Sequence, residues 1–91
     1  MAISYNQQTL SHLEVLLKEQ DWIVRYERGN FQSGSCLIKE KKMVVINKFV
    51  PLEQKVQALI GIVLSLDITV DSLNPKSQYF FKELQKIKEV L

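Results

Sequence analysis

Between Leu52 and Leu66 the chain carries more apolar surface than a helix on the outside of a domain can use. Leu52, Val56, Leu59, Ile60, Val63 and Leu66 recur at helical spacing, and Ala58, Ile62 and Leu64 widen the stripe until the helix is apolar nearly all round. A helix of that kind belongs at the centre of a small domain, because other elements must cover it on several sides. Pro51 fits its first position, where the missing N–H costs nothing. The run from Ala58 to Leu66 is broken by Gly61 and Ser65 and falls well short of the ~20 residues a membrane span needs. The stretch therefore predicts the middle of a soluble core, with no membrane as partner.

The flanking sequence supplies the cover. Leu10, Leu13, Leu16 and Leu17 form one stripe of a first helix predicted from about Tyr5 to Glu19, with Val15 off the stripe. Ser4 followed by Gln7 fits a capping box that satisfies free backbone N–H groups. Lys18, Glu19 and Gln20 close this helix on a polar note. At the other end, Asn74-Pro75 reads as an N-cap and first turn. Phe80, Leu84, Ile87 and Leu91 mark the buried stripe of a last helix, with Lys82, Lys86 and Glu89 facing out.

The middle of the chain changes period. Trp22, Val24 and Tyr26 alternate with Ile23, Arg25 and Glu27, as in a strand with one face on the core. Gly29-Asn30 is a turn signal. A second strand is predicted over roughly Ser35 to Lys39, with Gly34 as a candidate bulge, and Glu40-Lys41-Lys42 as a short polar connection. Met43-Val44-Val45-Ile46-Asn47 is rich in β-branched residues and continuously apolar, which predicts a central strand covered on both faces. The expected fold is α+β: a three-stranded, mostly antiparallel sheet packed on helices, in the order α-β-β-β-α-α. Its 91 residues make one domain, 1–91.

Most chemical signatures are missing. The three glycines, Gly29, Gly34 and Gly61, fit no nucleotide-binding pattern. One histidine, His12, and one cysteine, Cys36, cannot make a structural zinc site. Cys36 reads as a small buried hydrophobe, and a lone cysteine fits a reducing compartment. The N-terminus has neither the basic start nor the apolar run of a signal peptide. These features predict a cytoplasmic protein. No catalytic, cofactor-binding or metal-binding residue is assigned, no cofactor is implied, and a non-enzymatic role is expected.

What remains is an interaction surface. Residues 25–55 hold seven cations against three glutamates, while the rest of the chain is net acidic. That asymmetry fits either solvated lysines on sheet edges or an anionic partner. Within this segment, Arg28, Asn30, Phe31 and Gln32 place a cation, two amides and an aromatic within five positions, the last three of them between Gly29 and Gly34. They are the candidate partner-binding residues, with a protein as the partner; the helix faces offer no comparable cluster of anchors. The alternative is a connection with Phe31 tucked onto the core. Nucleic acid, bound weakly through the basic segment, is the second partner class, and hydrolysis by an unrecognised site is a third reading.

The segment from Gly29 to Cys36 reads G-N-F-x-S-G-x-C, and Val44-Val45-Ile46-Asn47-Lys48 reads V-V-I-N-K. Together they resemble a family of short, uncharacterised bacterial proteins. The resemblance spans about half the chain and implies a bacterial cytoplasmic protein without implying an activity. More loosely, a strand ending in Ile46-Asn47, then a proline and a helix, is similar to the core of ImmA/IrrE-type zinc metallopeptidases. In those enzymes the helix carries H-E-x-x-H. The corresponding residues here are Gly61-Ile62-Val63-Leu64-Ser65, so no zinc ligand carries over, and the resemblance implies a degenerate scaffold without a metal centre.

Overall fold

The computed structural model describes residues 3–38 and 41–90, with side chains over 3–34 and 41–87. The chain runs α1 (Gln7–Glu19), β1 (Ile23–Glu27), β2 (Gly34–Ile38), β3 (Lys41–Asn47), α2 (Leu52–Ser65), a 3-10 turn (Val70–Ser72) and α3 (Pro75–Val90). The class is α+β with three helices. Among the described residues, no helix is long and apolar enough to cross a membrane.

The mostly antiparallel sheet expected from the sequence is not what forms. The strand order is β1-β3-β2. β1 pairs with β3 in parallel, Ile23 opposite Met43 through Glu27 opposite Asn47. β2 pairs with β3 antiparallel, Gly34 opposite Val45 through Ile38 opposite Lys41. The cause lies in residues 28–33. A tight hairpin would lay β2 beside β1, but this segment steps across two strand spacings, about 10 Å, and leaves a slot that β3 fills. β1 and β3 then necessarily run the same way. The most apolar strand takes the middle of the sheet, where burial stabilises it most.

The alternation in β1 is realised as read. Trp22, Val24 and Tyr26 pack against the helical core, while Ile23 is exposed and Arg25 pairs with Glu27 at 2.9 Å. The Lys42 ammonium sits 5.6 Å from the centre of the Trp22 ring. In β3, Val44 and Ile46 are fully buried. They meet Leu13, Leu16 and Leu17 of α1, Val56, Leu59 and Val63 of α2, and Leu84 of α3 in one core. Lys41 and Lys42 belong to β3 and not to a connection. Residues 39 and 40, the side chain of Cys36 and residue 91 of the predicted last stripe lie outside the described residues.

Helix ends differ from the sequence reading by one or two residues. Asn6, and not Ser4, caps α1, its Oδ1 accepting from the Thr9 N–H at 2.9 Å. Pro51 is the N-cap of α2 and not its first helical residue. Asn74 caps α3 as predicted, its Oδ1 accepting from the Ser77 N–H at 2.8 Å, and its own amide donates to Glu19. Past α1, Asp21 takes the left-handed conformation (φ 63°) that acidic and amide residues tolerate best after glycine. Gln20 is buried and not merely a polar terminus. Its amide donates to the Thr69 carbonyl and the Ser72 hydroxyl and accepts from the Thr69 N–H, clamping the connection before α3 to the end of α1.

Tyr26 makes a second long-range tie, its hydroxyl donating to Glu14 Oε2 at 2.5 Å. Burial first, and the Glu14 carboxylate second, push the phenol well above its ordinary range. An unfolded tyrosine ionises near pH ~10, so the folded state holds this proton where the unfolded state has lost it. The resulting stability is fully present below pH ~10 and is lost as the pH rises beyond it. Denaturant melts along an alkaline series should therefore show the wild type losing stability above pH ~10 more steeply than Tyr26→Phe. Parallel curves would mean that the Glu14 contact does not hold the proton.

Candidate functional site

Because β1 and β3 are parallel, both release the chain at the same end of the sheet. Residues 28–33 leave from Glu27 and residues 48–50 from Asn47, so two connections distant in sequence become neighbours. The Lys48 N–H donates to the Glu27 carbonyl at 2.8 Å and draws them together.

Asn47 organises this end. It is buried, and its side-chain amide donates to the carbonyls of Gly29 (3.0 Å) and Phe31 (2.9 Å). Its Oδ1 accepts from the Phe49 N–H at 3.0 Å, and its backbone N–H donates to the Ser33 hydroxyl at 2.9 Å. One asparagine thus closes both connections into a single unit, using the full two-donor capacity of its amide nitrogen. Gly29 has a packing reason to be glycine: a Cβ there would stand 2.9 Å from Cδ1 of the Phe31 ring.

The four sequence-predicted residues share this unit but not one orientation. Phe31 is half-buried with its ring against Gly29, whereas Arg28, Asn30 and Gln32 are exposed. Among the described residues those three side chains form no hydrogen bond or ion pair. The partner-binding residues read from the sequence leave out Asn47, Lys48 and Phe49. Phe49 is 68% exposed and is the outward aromatic of this unit. Its signal was present in the sequence: a phenylalanine between a lysine and the Val50-Pro51 helix start has no stripe to join.

Among the described residues, the strand cations of the basic segment do not gather on one surface. Arg28 and Lys48 stand at one end of β3, Lys41 and Lys42 at the other, a strand length of roughly 20 Å away. Arg25 is neutralised by Glu27. Residues 61–65, where the metallopeptidase motif would lie, are in the last turns of α2 with Ile62 and Val63 buried. Among the described residues, no three His, Cys, Asp or Glu side chains converge to hold a metal.

The helices also hold something the sequence reading passed over. A groove of about 640 Å³ opens between α1 and α3, lined in part by His12, Val15, Tyr79, Phe80 and Glu83. Compared with family models, with curated proteins and with solved structures, the chain matches none.

Proposed function

We propose that this chain is a non-enzymatic interaction module that binds a protein partner through residues 28–33 and 48–50. The observation that carries the reading is the Asn47 clamp. It holds both connections by hydrogen bonds, so little ordering cost remains when a partner docks. On that frame stand an exposed aromatic, Phe49, two cations without a counter-ion among the described residues, Arg28 and Lys48, and the exposed amides of Asn30 and Gln32. Aromatic and arginine side chains are the commonest anchors of protein interfaces. The complementary surface is an acidic segment carrying an apolar side chain. The reading sets the module in a bacterial cytoplasm, in line with its single cysteine and its G-N-F-x-S-G-x-C segment.

The test is capture from the native cell, followed by titration of the purified partner. Phe49→Ala and Arg28→Ala should each weaken binding by about tenfold, equivalent to ~1.4 kcal/mol, with no change in thermal stability. Phe31→Ala should lower both, because its ring packs on the loop itself. A captured partner that binds both exposed-residue variants as tightly as the wild type would sink the proposal. Capture of nucleic acid in place of protein, with dissociation constants of ~10⁻⁴–10⁻⁶ M at physiological salt, would transfer the site to the second partner class.

A further inference from the structure

The groove between α1 and α3 holds a feature that packing alone does not explain. Glu83 lines it with its side chain only 9% exposed. One carboxylate oxygen, Oε1, accepts from the Lys86 ammonium at 3.1 Å. The other, Oε2, is buried and has no hydrogen-bond partner among the described residues. It has given up water without gaining a donor, a costly state for an acceptor and costlier for a charged one. Nearby, the rings of His12 and Phe80 meet edge to face at 5.4 Å, and Tyr79 and Val15 expose apolar surface along the rim. The site thus combines an apolar wall, a volume within the range of ligand pockets, and one buried acceptor lacking a donor.

We propose that this groove binds a small organic amine, an aromatic or alkyl body lying against Phe80 and Val15 and an ammonium donating to Glu83 Oε2 once a turn of that side chain brings the buried oxygen to the groove. An anionic ligand is disfavoured, because it would bring a second negative charge to a desolvated carboxylate. The N-terminus of α3 does not reverse this: the Ser77 N–H is already taken by Asn74 Oδ1. Lys76 also lines the groove and opposes a cation, but it is exposed, and charges facing water interact several-fold more weakly than those facing protein.

The probes are phenethylamine, 2-phenylethanol and 3-phenylpropionate, which share a ring and differ in the head group, titrated into the full chain and followed by NMR shifts. The amine should bind about tenfold or more tightly than the alcohol, in keeping with a hydrogen bond to a charged group, and the carboxylate should bind weakest. Glu83→Gln keeps the shape and should abolish the preference for the amine. Val15→Trp, at a position 47% exposed and therefore tolerant of change, should fill the groove and remove binding of all three probes. The proposal is overturned if amine and alcohol bind alike, if the preference survives Glu83→Gln, or if Val15→Trp leaves amine binding intact. Absence of amine binding at ~10 mM, above the ~1 mM that corresponds to ~4 kcal/mol, overturns it as well.

Discussion

Asn47→Ala is expected to destabilise the protein by about 2–4 kcal/mol and to abolish partner binding at the same time. The substitution leaves the Gly29 and Phe31 carbonyls and the Phe49 N–H without their side-chain partner. Each such group costs about 1–3 kcal/mol when it stays buried. Water reaches part of this end of the sheet, so the total falls below the sum. Asn47→Asp separates hydrogen bonding from size. It keeps the acceptor for Phe49 but replaces two donated bonds by a carboxylate facing two carbonyl oxygens. Asp should therefore be at least as damaging as Ala, although it is nearly isosteric with Asn. Urea melts of the two variants decide the matter: a loss below ~1 kcal/mol for Ala would mean that the connections hold themselves, and the rigid platform on which the proposed interface rests would be gone.

The sequence revealed the elements better than their partners. The leucine stripe of α1 and the alternation at Trp22, Val24 and Tyr26 are direct consequences of side-chain period, and the structure buries those residues accordingly. Strand direction leaves no such trace, because parallel and antiparallel strands share a period of two. Whether β1 meets β2 or β3 depends on how far residues 28–33 reach across the sheet, which the turn signal at Gly29-Asn30 does not specify. A related ambiguity hid the groove. With Phe80 and Phe81 adjacent, the last helix can bury either 80, 84 and 87 or 77, 81 and 84. The structure takes the second frame, burying Ser77, Phe81 and Leu84 and leaving Phe80 half-buried. That rotation carries Glu83 inward. A glutamate amid lysines reads as solvent-facing, and only the packed helix pair shows otherwise. Asn47 was hidden for a similar reason: its bonds run to residues 14 to 18 positions earlier, beyond any local pattern.

Leu59→Ala should cost about 2–5 kcal/mol. Leu59 sits in the middle of α2, fully buried, in the cluster formed by the α1 leucines, Val44 and Ile46 of β3, and Leu84 of α3. Truncation removes apolar transfer energy and leaves a cavity facing three elements, each fixed by its own contacts. Collapse around the void is therefore limited, and the upper half of that range applies. A domain of this size has a net stability of only roughly 5–14 kcal/mol, so one methyl-group cluster accounts for a large share of it. Ile60, slightly less buried on the same helix, should lose less when shortened to Val, ~0.5–1.5 kcal/mol. Val15→Ala, at an exposed position on α1, should stay within ~0.5 kcal/mol of the wild type. The discriminating quantity is the order of the three in denaturant midpoints at an unchanged slope. If Leu59→Ala fell below ~1 kcal/mol, α2 would not be the centre of the core. Its nearly all-round apolar surface would then have to be satisfied by contacts outside this chain.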